Sequence, residues 1–280
     1  MRVKAGVLIA LVAAVSLEAQ QTPAQQIPTP PAPTAPAPAA PPVIADVPTC
    51  PELATALNTL VTNDVRRRDW PNLTRYREQN RALPAAASSE PRVVFMGDSI
   101  TDAWPQPRFG TFFVGKPYVG RGISGQTTPQ MLVRFRPDVI DLKPKAVVIL
   151  AGTNDIAGNT GPMSNEEIQG NLASMAELAK LHGIKVVLSS ILPVSAYHVA
   201  PNGTPQTLQR PMSRIKAINA WMKDYAAKEK HVYLDYFVPA MVDETGHLRS
   251  ELSGDDLHPN AQGYAVMGPL AEAAIKQALR

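Results

Sequence analysis

RVVFMGDSIT, residues 92–101, joins a short apolar run to a Gly-Asp-Ser turn. A run of this length, rich in β-branched residues and closed by glycine, reads as a buried strand that hands the chain to a turn and a helix. Working outward, four more runs have the same character: PYV (117–119), KAVVIL (145–150), IKVVLSSIL (184–192) and HVYLDYF (231–237). Every gap between successive runs holds at least twenty residues. That is enough for a crossover helix and far more than a hairpin needs, so the sheet is expected to be parallel.

Helix signals fill the gaps. Thr128-Pro129 reads as a cap followed by proline at the first helical position. Ser164 with Glu167 spells a capping box for a helix carrying Ile168, Leu172, Met175 and Ala179 on one face, and Gly183 is placed to end it. Ile215, Ile218, Met222 and Tyr225 mark another amphipathic helix, and a last one is expected after Pro259, kinked at Pro269. PELATALNTLV (51–61) and NLTRYREQNRAL (72–83) read as helical pieces ahead of the first strand. The expectation is one three-layer α/β/α sandwich over residues 50–280, with five parallel strands and helices on both faces. SAYHVAPNGTPQTLQRP (195–211) breaks the pattern with Pro and Gly and reads as a long loop near the strand ends.

The chain of 280 residues has a different composition before this domain. Arg2 and Lys4 precede an uncharged apolar run from Ala5 to Leu17, with the small residue Ala19 as a cleavage point, so residues 1–19 are expected to be a secretory signal peptide. The run is shorter than the ~20 residues that a spanning helix needs, and no transmembrane span is expected in the mature chain. From Pro23 to Pro42 nine residues are proline, so residues 20–49 read as an extended linker that cannot bury a core. The formal net charge is only +3, and the one tight basic cluster, Arg66 to Arg68, reads as a solvated helix face, which excludes a nucleic-acid surface. The single cysteine, Cys50, cannot form an internal disulfide, and five scattered histidines without HExxH or CxxC offer no zinc site.

In an open parallel sheet, sites form beyond the carboxyl ends of the strands, where successive loops converge. GDSIT (97–101), GRGISG (120–125) and GTND (152–155) each follow a strand-like run, and DDLHPN (255–260) is expected to open the last helix. Asp255 and His258, three residues apart, fit one helical turn, so the carboxylate can reach the imidazole, fix its tautomer and leave the other nitrogen to take a proton from a serine. Ser99 is the candidate serine. Each piece has an ordinary alternative, since Gly-Asp-Ser is also a common helix cap and Gly-x-Asn-Asp a common turn. Their convergence at the ends of one sheet, with complementary roles, favours chemistry.

In this order the four motifs resemble the sequence blocks of the SGNH, or GDSL-type, hydrolases, from Arg92 to the C-terminus. The resemblance is to the acetylesterase-like and platelet-activating-factor acetylhydrolase-like branches, and it implies a flavodoxin-like sheet. It further implies Ser99 as nucleophile, His258 as base and Asp255 as orienting acid. The Ser99 and Gly122 backbone N–H groups and the Asn154 amide would form the oxyanion hole. Gly122 would then be glycine so that its N–H can approach the substrate. Asp256 departs from the pattern, at a position where the family often has a small residue.

Competing motifs fail on context. A dinucleotide turn at GRGISG needs an acid ~20 residues on, where this chain has KPKAVV, and Asp138 and Asp141 come too early. GTFFVGKP (110–117) ends in proline where a P-loop has its hydroxyl and precedes a strand instead of following one. No G-x-S-x-G elbow is present. The expectation is an exported serine esterase acting on small acyl esters, with acetylated carbohydrate as the substrate class, no metal or organic cofactor, and Trp104 against the acyl group. An acyltransferase using the same site and a non-catalytic exported carbohydrate-binding protein are the alternatives.

Overall fold

Alternate residues of a strand point to opposite faces, and in this protein both faces are covered. The computed structural model describes residues 50–86, 91–110, 112–198 and 203–280. The expected leader and linker, and the side chains of Arg66 and Arg67, lie outside the described residues. The strands are β1 (Val93–Gly97), β2 (Tyr118–Gly122), β3 (Ala146–Leu150), β4 (Lys185–Ser189) and β5 (Val232–Leu234). All pairs are parallel, in the order β2-β1-β3-β4-β5.

The helices are α1 (Cys50–Arg68), α2 (Arg77–Ala82), α3 (Ser99–Ala103), α4 (Thr128–Asp138), α5 (Thr153–Ile156), α6 (Asn165–Leu181), α7 (Gln206–Gln209), α8 (Met212–Glu229) and α9 (Ala261–Ala278). Val94, Met96, Val147, Ile149, Val186 and Leu188 face a cluster that includes Met131 and Phe135 of α4, Leu172 and Met175 of α6, and Ile218 and Met222 of α8. Their neighbours Val93, Phe95, Val148, Leu150 and Val187 face Ile100 of α3 and Met267, Ala271 and Ile275 of α9. Burial on both faces is why the strands read as continuous apolar runs without alternation.

Several local expectations are corrected. Thr127, not Thr128, caps α4, in a reciprocal capping box with Gln130, and Pro129 follows within the first turn. Gly120 to Gly122 are strand residues of β2, so the glycine motif begins inside the sheet instead of after it. The DDLHPN segment precedes α9 and is not helical; Asn260 caps the helix by accepting from the Gln262 and Gly263 N–H groups. The 195–211 stretch is not all loop, since it contains α7. The Ser164–Glu167 capping box and the left-handed Gly183 after α6 are as expected.

The strand order places β1 between β2 and β3. The chain leaves β1 toward β2 and leaves β3 toward β4, so the loops after β1 and β3 diverge and open a crevice at their carboxyl ends. GDSIT and GTND span those two junctions and the first turns of α3 and α5.

Candidate active site

Ser99 is the first residue of α3, separated from β1 only by Asp98. Asp98 caps that helix, its Oδ1 accepting from the Ile100 N–H at 2.9 Å, and the Tyr264 hydroxyl of α9 donates to the Ile100 carbonyl at 2.7 Å. The helix is pressed hard against the sheet. A Cβ on Gly122 would stand 2.1 Å from the Asp102 nitrogen, and one on Gly97 would stand 2.1 Å from Thr101 Oγ1. Close packing of α3 is therefore by itself a sufficient reason for glycine at 122.

His258 reaches across from the segment before α9. Its Nε2 lies 2.8 Å from Ser99 Oγ, and its Nδ1 lies 2.6 Å from Asp255 Oδ2. An ionised carboxylate can only accept, so Nδ1 carries the proton and Nε2 is left to accept from the serine hydroxyl. The non-helical bend makes this reach possible: Asp255 Oδ1 accepts from the backbone N–H groups of Leu257 and His258 at 3.1 and 2.7 Å, folding the segment around its own carboxylate. Half-burial pushes the Asp255 carboxyl up, but the His258 hydrogen bond, its charge and these backbone donors hold it well below the ordinary carboxylate range.

Asp256, the odd residue of the motif, is buried, and its carboxylate engages His198 instead of His258, with His198 Nδ1 2.9 Å from its Oδ1. Asp256 adopts a left-handed φ of 66°. Its Oδ1 accepts from Ser195 Oγ at 2.6 Å and its Oδ2 from the His198 N–H at 2.7 Å, so it anchors the start of the 195–211 stretch. At the other end of that stretch, Arg210 Nε donates to Thr153 Oγ1 at 3.1 Å. Both ends are thus tied to residues adjoining the site.

Asn154 is buried, and its Nδ2 donates to the Gln126 carbonyl at 2.9 Å, which leaves its second N–H unassigned by that bond. Asp155 accepts from the Thr128 N–H at 2.9 Å and from its hydroxyl at 2.5 Å, joining the loop after β3 to the start of α4. Trp104 is 4% exposed and packs with Phe95, Phe112, Phe113 and Tyr264 in an aromatic cluster. Its size and apolarity are spent on the core beneath α3.

Three further groups support the crevice without any sequence signal of their own. Arg134, fully buried on α4, donates to the carbonyls of Gly97 and Arg121 at 2.9 and 2.8 Å and pairs with Asp138 at 3.1 Å. The Tyr76 hydroxyl donates to the Gly122 carbonyl. Asp102 Oδ2 accepts from the N–H and hydroxyl of Ser124 at 3.2 and 2.7 Å, binding α3 to the turn after β2. The most spacious of the cavities described, about 720 Å³, lies at the opposite end of the strands beside Lys185 and Val232 and includes none of the candidate catalytic residues.

The chain resembles known proteins across this region. An esterase of Pseudomonas aeruginosa, TesA, is 33% identical over 141 residues, which is 50% of this chain and 60% of the esterase. The uncharacterized lipoprotein YqeF of Bacillus subtilis is 41% identical over 76 residues, 26% of this chain and 31% of its own length. The chain therefore matches less than two thirds of either curated relative. The crystal structure of a proposed acylhydrolase from Bacteroides fragilis superimposes with a TM-score of 0.68 at 43% identity, covering 75% of this chain and 99% of that one. Residues 95–266 match the model of the GDSL-like lipase/acylhydrolase family, and the chain belongs to that family of carboxylic ester hydrolases.

Proposed function

We propose that the chain is an exported serine ester hydrolase that removes small acyl groups, acetyl above all, through an acyl-enzyme on Ser99. The observation that carries this reading is the unbroken relay from Asp255 Oδ2 through His258 to Ser99 Oγ, with links of 2.6 and 2.8 Å. Ser99 Oγ attacks the ester carbonyl carbon while its proton passes to His258 Nε2, and Asp255 stabilises the imidazolium that results. The backbone N–H groups of Ser99 and Gly122 and the second N–H of Asn154 receive the oxyanion. Collapse of the intermediate breaks the C–O bond to the alcohol, which takes the proton from His258. Water then adds to the acyl carbon as its proton passes to His258; the intermediate collapses with cleavage of the bond to Ser99 Oγ, which takes that proton back, and the acid leaves.

Export rests on the Arg2/Lys4 and Ala5–Leu17 pattern and on likeness to a lipoprotein. An acetylated carbohydrate is the favoured substrate class, on the strength of export and the acetylesterase-like motifs.

Hydrolysis of p-nitrophenyl acetate, butyrate and octanoate by the full chain and by Ser99→Ala tests the reading. The expected result is fastest turnover of acetate and a fall of at least about 10³-fold in the variant, the scale of triad removal. Equal rates in the two folded proteins would overturn it.

A further inference from the structure

A cavity of about 480 Å³ opens beside the turn that follows β2, lined by Trp70, Asn72, Ser124, Gln126, Asn159 and Thr160 among others. Its volume falls in the ~300–1,000 Å³ range of small-molecule sites. It adjoins the candidate active site: the Gln126 carbonyl on its wall is the acceptor of the Asn154 amide, and Ser124 is two residues beyond Gly122. We infer that this cavity is a saccharide subsite, in which the face of a neutral sugar ring stacks on Trp70 while its hydroxyls meet the amides of Asn72 and Asn159. The inference rests on the esterase reading and specifies the alcohol side of its substrate.

The chemistry of the lining selects that ligand class. Trp70 is 43% exposed, which leaves part of it open to a ligand in the cavity. The segment that carries it is held in place, since Gln130 Nε2 donates to the Trp70 carbonyl at 2.8 Å and Gln126 Nε2 to the Pro71 carbonyl at 2.7 Å. Asn72 sits at a left-handed φ of 56°, a turn conformation that asparagine adopts more readily than most residues. No lysine or arginine lines the cavity. Its one carboxylate, Asp69, is already occupied, accepting from the Leu73 and Thr74 N–H groups at 2.7 and 2.9 Å. A charged alcohol would find no countercharge. Amides and hydroxyls around one indole suit a polyol with an apolar ring face, because amides both donate and accept. Trp70 and Asn72 lie outside residues 95–266, so this wall is an addition to the part that matches the family model.

The test compares two acetate esters in the full chain: mono-O-acetylated methyl β-D-xylopyranoside, whose ring is the proposed occupant of the cavity, and ethyl acetate, whose alcohol has no ring to place there. Trp70→Ala is expected to lower kcat/KM at least about tenfold for the sugar ester and less than about twofold for ethyl acetate, with Trp70→Phe keeping most of the activity. Equal effects on both esters would overturn the subsite. A second arm does not depend on turnover: calorimetric titration of the sugar ester into Ser99→Ala should show binding that Trp70→Ala weakens at least about tenfold. Binding unaffected by Trp70, or absent, would overturn the subsite even if ethyl acetate is hydrolysed. Binding that depends on Trp70 in a protein hydrolysing neither ester would sink the esterase reading alone.

Discussion

Asp98 is fully buried, with one carboxylate oxygen capping α3 and the other without a hydrogen-bond partner. Burial pushes its carboxyl up to about 6, against the Ile100 N–H and the charge of His258, which pull it down. Below about pH 4 the folded and unfolded chains both hold this proton; between about 4 and 6 only the folded chain keeps it, so this group lowers stability as pH rises. Asp98→Asn keeps an acceptor for the cap and removes the ionisation. Relative to the wild type it should gain on the order of 2–3 kcal/mol between pH 4 and pH 7 in urea melts, and a constant difference across that range would contradict the assignment. Asn154→Ala should cut kcat about 10²-fold at unchanged fold, the typical effect of losing one oxyanion donor, and full activity would remove Asn154 from that role. At this scale the sequence was informative where chemistry demands a residue type, as at Ser99, Asp255 and His258, which the fold brings into contact across 159 residues. It was silent on the bonds from Tyr76 and Arg134 to backbone carbonyls, which only the folded chain brings near.

At the scale of elements, α3 and the 195–211 stretch frame the crevice. Gly122→Ala would drive a Cβ into the α3 backbone at 2.1 Å from the Asp102 nitrogen, and the helix carrying Ser99 would have to move. The expected outcome is a loss of about 1–3 kcal/mol in stability together with loss of turnover, and a variant with wild-type melting would show that the helix can yield freely. Asp256→Ala would leave the buried Ser195 hydroxyl and the His198 N–H without their acceptor. Hydrogen exchange should then accelerate at residues 195–198 while β3 stays protected, with a cost of about 1–3 kcal/mol. Unchanged exchange there would refute the anchoring role. Strand positions were legible because burial on both faces leaves unbroken apolar runs, but their ends were not. The glycines of β2 look like a turn in sequence and are strand, and DDLHPN has helical spacing but bends around Asp255 instead. In both cases close packing or a side-chain acceptor outweighs local propensity.

For the whole molecule, the order β2-β1-β3-β4-β5 determines why four motifs far apart in the chain meet. Divergence of the loops after β1 and β3 creates the crevice, and α9, packed on β4 and β5, delivers the His258 segment to it. Long gaps between runs made the parallel sheet legible; which strand pairs with which came only through the family resemblance, whose flavodoxin-like sheet has this order, because the gaps alone do not say which face each crossover helix takes. Cys50–Arg280 forms one compact unit. A chain beginning at Cys50 should therefore melt within a few degrees of the full chain and hydrolyse p-nitrophenyl acetate within about twofold of its rate, whereas collapse of either would assign residues 1–49 a structural part. The central claim concerns one serine among all those in the chain, activated by His258. Reaction with a fluorophosphonate, followed by peptide mass mapping, tests it directly. The account predicts a single adduct on Ser99 in the wild type, forming at least about 10²-fold more slowly in His258→Ala. An adduct on another serine, or labelling of Ser99 at the same rate without His258, would contradict it.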